Sequence, residues 1–227
     1  MGSMFDLDGP LMRALNGFAD IIVMSLWWVI GCIPIVTIGA STTALYYAAM
    51  KSVRKDGTVT KNFWKSYREN WKQAIAAELI LVVFAVALYA LYGVAYGISG
   101  ALSSVVKVVF HVLFLLFLIL VSFVFPILSR FVTTVPMLFR NAVILSLGHF
   151  PRTIFIVLLH LAPMLIIFLR IDWFVVALPL LVVLIPGTIA TWNGTSFIKM
   201  FEKYTPQEIL DEEEEATQNL GMFDTEE

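Results

Sequence analysis

Apolar residues fill five stretches of the chain, at about residues 18–38, 74–98, 105–129, 153–169 and 173–198, and charged residues retreat to the segments between them. A bilayer crossing takes roughly 20 such residues in a helix, because in lipid each backbone N–H and C=O must find its partner within its own segment. The pattern therefore predicts an all-α, polytopic integral membrane bundle of about five transmembrane helices. Over 62–72 the period changes the picture. Phe63, Trp64, Tyr67 and Trp71 fall within about a third of the helical circumference, and Lys61, Lys65, Arg68 and Lys72 occupy the other side. This predicts a short amphipathic cytoplasmic helix lying in the membrane plane, its aromatics resting among headgroups or docking a partner. A second short helix is expected within Phe139–Arg152, broken at Gly148 and restarted at Pro151.

Composition supports the membrane class. Of 227 residues, 59% are hydrophobic and 14% charged, and the mean hydropathy is +0.87. The net charge of -2 hides a segregation. Seven Lys and Arg lie between Lys51 and Lys72, Arg130, Arg140 and Arg152 follow without an acid, and Asp211 to Glu215 is a run of acids. The basic loops belong on the cytoplasmic side by the positive-inside rule. Five crossings then place the N-terminus outside and the C-terminus in the cytoplasm. Residues 1–203 form one membrane domain on this reading, and 204–227 an acidic cytoplasmic tail that buries too little to order itself. A dip of 40–50 back into the bilayer is the alternative local path. Asp6, Asp8 and Asp20 precede the first span where a cleaved leader would be basic. Nucleic acid is not an expected partner, and the lone Cys32 forms no internal disulfide.

Ionisable groups inside apolar spans are the remaining chemical clues, since each costs several kcal/mol in hydrocarbon unless protein or water receives it. The candidates are Asp20, Glu78, His111, His160 and Asn193, with Asp20 and Lys107 expected to pair at the outer interface. No Gly-rich phosphate loop, His-Glu metal spacing or nucleophile elbow is present. No catalytic residue, cofactor or metal is therefore expected. Gly31, Pro34 and Gly39 predict a break in the first span, and Pro179, Pro186 and Gly187 one in the last. The recurrence of Pro34-Ile35 and Pro126-Ile127 near span ends hints at a duplication.

The helix, glycine and proline cadence of Phe139–Arg152 faintly resembles the segment by which membrane subunits of ATP-driven importers engage their ATPase, although the acidic residue and paired alanines of that motif are missing. A second resemblance covers almost the whole chain. It rests on Asp8-Gly9-Pro10-Leu11, Leu15-Asn16 and Ala19-Asp20, on Pro34-Ile35-Val36-Thr37-Ile38-Gly39-Ala40-Ser41-Thr42 with Ala44-Leu45-Tyr46-Tyr47, on Phe63, Asn70 and Lys72-Gln73-Ala74, and on Phe201 and Tyr204. In these residues the chain resembles the YesL-like family of bacterial integral membrane proteins, domain of unknown function 624, with Pro34, Thr37, Gly39 and Ser41 as motif positions. The resemblance implies no established reaction. It implies genomic company with sugar-importing ABC transporters, and hence an accessory or regulatory subunit of carbohydrate uptake, whose partner is an ABC importer permease or ATPase. Phe63, Trp64, Tyr67, Trp71, Gly148 and Pro151 are the candidate docking residues. The competing expectation is a small transporter or channel, alone or as a homo-oligomer.

Overall fold

The first apolar stretch does not run straight to Ile38. Its helix, α1 (Pro10–Gly31), stops before Pro34, a 3-10 turn follows at Ile35–Thr37, and α2 (Ile38–Val53) runs back. The computed structural model describes residues 10–169 and 171–205, with side chains for all of these except 10, 101, 164–169 and 171–182. Three bonds set the direction of α2. The Ser41 hydroxyl donates to the Trp28 carbonyl at 2.8 Å and the Trp28 indole N–H to Thr42 at 3.2 Å, while Ser52 donates to the Asp20 carboxylate at 2.6 Å. The two helices are thus antiparallel. The first crossing, expected over 18–38, is α1 ending at Gly31, and 40–50 runs back beside it in α2, in line with the alternative local path for that segment. Alanines at 40, 44, 48 and 49 are fully buried, and their small size lets α1, α3 and α7 approach the α2 backbone closely.

α3 (Val59–Gly97) is one helix of 39 residues, roughly 58 Å long at 1.5 Å per residue. It absorbs 62–72, so the short in-plane helix expected there does not exist as a separate element. The reason is in the chain: no glycine or proline occurs between Val59 and Tyr92, and nothing ends the helix at the membrane border. Gly100, at φ +90°, turns the chain into α4 (Ala101–Arg130), which runs back along the second half of α3. Ser103 donates to the Ala95 carbonyl at 3.2 Å, and Phe84 meets Phe117 edge to face at 5.6 Å. In this hairpin the buried α3 residues are Leu81, Leu88 and Ala95, spaced by seven, which is the seam of a two-helix coil.

Pro136 stands in the first turn of α5 (Val135–Gly148), and α6 (Phe150–Leu169) departs from α5 at an angle of 110°. α7 (Ile171–Phe201) continues without interruption through Pro186 and Gly187 and ends in a 3-10 turn at Glu202–Tyr204. The first span is broken as expected, whereas α7 stays helical through Pro186 and Gly187, so it is not unwound there, and the Gly187 N–H donates to the Ser25 hydroxyl of α1 at 2.9 Å. Pro34 lies in a turn while Pro126 lies inside α4, so the two prolines stand in different structural settings. Around α2 the core gathers Phe63, Phe123, Phe197 and Phe201, all nearly inaccessible. Among the described residues every regular element is helical. Helices α1, α3 and α4 are long and apolar enough to cross a membrane, and the bent pair α5 and α6 makes a fourth if counted as one span.

Candidate functional site

The motif from Pro34 to Ser41 builds a knot that closes the α1–α2 hairpin. Thr37 donates to the carbonyls of Gly31 at 2.8 Å and Pro34 at 2.7 Å, capping the end of α1. Glu78 reaches from α3 and accepts the Gly39 N–H at 2.9 Å, so a carboxylate sits on the N-terminus of α2, where backbone donors are left over. Gly39 has no room for a side chain. A Cβ there would lie 2.6 Å from the Phe125 ring and 3.0 Å from the Ala74 carbonyl. These contacts give Pro34, Thr37, Gly39, Ser41 and Glu78 one shared role, the locking of three helices at the hairpin tip. The tip itself is apolar and open, with Ile33 and Ile35 more than 70% exposed.

A second polar cluster lies within the bundle, between α2, α6 and α7. The His160 ring places Nδ1 2.8 Å from the Ile156 carbonyl and Nε2 2.9 Å from the Tyr46 hydroxyl. A carbonyl only accepts, so Nδ1 carries the proton in this bond and the Tyr46 hydroxyl donates to Nε2. Asn193 is fully buried, with its amide nitrogen 3.5 Å from Nδ1 and its Oδ1 unpartnered. Sequence reasoning had singled out His160 and Asn193 separately. Tyr46 was missed as their partner, because three helices distant in sequence bring them together.

The third feature is the charged face of α3. Lys61, Lys65, Arg68, Glu69 and Lys72 are exposed along about three turns, and Thr60, Lys61, Trp64, Lys65, Arg68 and Glu69 line an open groove there. Of the aromatic docking candidates on this segment, Phe63 is fully buried and unavailable to any partner. Trp64 and Tyr67 are half-buried against the core, with Trp64 edge to face on Trp27 at 5.3 Å. Trp71 alone is exposed, its ring beneath the Lys72 ammonium at 5.6 Å. At the foot of α3, Lys51 pairs with Asp56 and Arg54 with Glu202 at 3.0 Å. The end of α7 is thereby fixed to the end of α2.

The remaining candidates are placed apart. Asp20 bonds Ser52, while Lys107 lies over the Tyr96 ring at 5.1 Å, near the far end of α3, so the expected Asp20–Lys107 pair does not form. His111 bonds its own helix at the Lys107 carbonyl and faces outward. Gly148 and Pro151 flank the elbow between α5 and α6, where the Tyr204 ring packs on His149. Among the described residues no group of three or more His, Cys, Asp or Glu is placed to hold a metal ion. The acidic run 211–215 and most of the tail expected over 204–227 lie outside the described residues.

Residues 21–92 match the family model described as "Protein of unknown function, DUF624". The matched segment takes in the second half of α1, all of α2 and most of α3, and with them the hairpin knot. The resemblance carried by Pro34 to Thr42 agrees with this match. No curated protein and no solved structure matches the chain.

Proposed function

We propose that the protein is a non-catalytic accessory or regulatory subunit of a bacterial plasma-membrane importer of the ABC type for carbohydrates, docking its partner through the charged face of α3. The observation that carries this reading is the division of labour on that segment. Phe63, Trp64 and Tyr67 are spent on the core, and Lys61, Lys65, Arg68, Lys72 and Trp71 face outward on a helix continuous with a membrane-length segment. Exposed mixed charge on a rigid helix gives orientation and register to a docking event more than raw affinity. Glu78 is engaged by a helix N-terminus and Asn193 is enclosed, which favours docking over passage of a solute. The carbohydrate importer as partner rests on the family resemblance. With the basic stretch cytoplasmic, the α1–α2 hairpin brings the N-terminal end of α1 to the cytoplasmic side too, in place of the outward N-terminus expected from five crossings.

Crosslinking in native membranes, followed by affinity capture and mass spectrometry, tests the reading. The wild type is expected to bring down an importer permease or ATPase that a Lys65→Glu, Arg68→Glu, Trp71→Ala variant loses. Capture of that partner in equal amount by the variant removes the docking face from consideration. Capture of self-crosslinked chain alone removes the accessory role and leaves a stand-alone transporter or channel.

A further inference from the structure

The outward face of α5 has no counterpart in the fold. Met137, Arg140, Ile144 and Leu147 recur at intervals of three and four and are all exposed, whereas Leu138, Ala142 and Leu145 on the opposite side are buried. Across the elbow, Phe150 and Arg152 are exposed as well. From Arg130 to Leu169 the chain holds three arginines and no acidic residue. Apolar side chains with interspersed arginines and no acids are the composition of a helix that lies on a membrane.

Two further observations set the height and direction of α5. The Gln73 amide donates to the Thr133 carbonyl at 3.0 Å, two residues before α5 begins. Gln73 is the position where α3 changes character, directly after Lys72 and before the apolar run from Ala74. α5 therefore starts at the level of the membrane border. The 110° elbow then directs α6 crosswise to α5, so that if α6 enters the bilayer, α5 runs along its surface.

We propose that α5 lies in the interface of the leaflet on the side of the basic loops, with Met137, Ile144 and Leu147 at the acyl border and Arg140 and Arg152 on the phosphates of anionic phospholipid. The in-plane membrane contact expected of 62–72 is thereby assigned to α5. The occupant is lipid because the stripe is continuous in character with the apolar outer faces of α3 and α4, and its charge complements an anionic surface. The arginine stems lie along apolar surface while the guanidinium groups reach the phosphates.

The test uses the full-length chain in a Cys32→Ser background, with an environment-sensitive fluorophore on Ile144→Cys, Val83→Cys or Lys65→Cys. Each is reconstituted in vesicles of phosphatidylcholine alone or with phosphatidylglycerol, carrying nitroxide quenchers at headgroup or mid-chain depth. The Ile144 label should respond best to the headgroup quencher, the Val83 label to the mid-chain one, and the Lys65 label to aqueous iodide. Phosphatidylglycerol should raise headgroup quenching at Ile144 about twofold, and an Arg140→Gln, Arg152→Gln pair should abolish that rise. The Val83 signal reports that each variant is inserted. Mid-chain quenching at Ile144 would make α5 part of a crossing and overturn the proposal. Quenching by iodide alone would overturn it in favour of a water-facing or protein-docking surface, and insensitivity to phosphatidylglycerol would overturn the phosphate contacts.

Discussion

The two halves of α3 are turns of one uninterrupted helix, yet they meet different surroundings. From Val59 to Gln73 the helix buries Phe63 and Ser66 within a bundle of several helices and shows lysine and arginine outside. From Ala74 to Gly97 it buries a thin seam of alanine and leucine against α4 and shows valine, isoleucine and tyrosine outside, with Val83 68% and Tyr89 79% exposed. A helix of roughly 58 Å is about twice as long as the hydrocarbon core is thick. The polarity of the outward face then decides which half the bilayer takes. Backbone continuity makes any tilt or shift of the membrane half a movement of the charged half.

The comparison breaks most severely at Phe63. Phe63→Ala should cost about 3–5 kcal/mol, since the ring is fully enclosed and the helices around it are tied by other contacts that limit collapse. Thermal unfolding in detergent micelles reads this as a large fall in midpoint. Trp71→Ala, two turns on and outward, should leave the midpoint nearly unchanged. Equal losses at the two positions would mean that the inward and outward faces are wrongly assigned.

Val83→Arg should be next in size. A guanidinium facing lipid near the middle of a span costs about 2.5–3.5 kcal/mol on insertion scales, and the expected readout is a reduced carbonate-resistant membrane fraction. Lys65→Leu makes the reverse exchange in the first half and should not change that fraction. If Val83→Arg inserts normally, the second half of α3 is not lipid-facing. Glu78→Leu tests the joint between the halves. It strips the acceptor from the Gly39 N–H and should destabilise by about 1–3 kcal/mol, while Glu78→Gln keeps an acceptor and should cost less.

The membrane class, the apolar second half of α3, the helix α4 and the break before Pro34 were all legible in the chain, because apolar length and proline act locally. The antiparallel return of α2 was legible as the alternative path for 40–50 alone, since Ala40 to Met50 reads as one more apolar run, and the Ser41–Trp28, Trp28–Thr42 and Asp20–Ser52 bonds reveal its direction. The period of 62–72 was read correctly and its meaning was not. Amphipathicity says that one face is buried, without saying whether lipid, partner or the protein's own core buries it. Here Trp27 and the core take the aromatics. The absence of glycine and proline from Val59 to Tyr92 was the overlooked signal that the segment continues into the span. Tyr46 joining His160 and Asn193 had no sequence signal, because nothing local links residues 114 and 33 positions from the ring.

The smallest expected effect concerns the charged face alone. Lys65→Ala removes an exposed side chain with no ion-pair partner among the described residues. Its effect on folding should stay within about 0.5 kcal/mol. Membrane insertion should be unaffected, as positive charge remains at Lys61, Arg68 and Lys72. If the face exists to meet a partner, the same substitution should lower capture in native membranes more than its stability change explains, and the loss should shrink as ionic strength rises because exposed charges are screened over about 10 Å at 0.1 M salt. Unaltered capture at every salt concentration would reduce the first half of α3 to a solvated surface, and the contrast between its halves would then concern solvent alone.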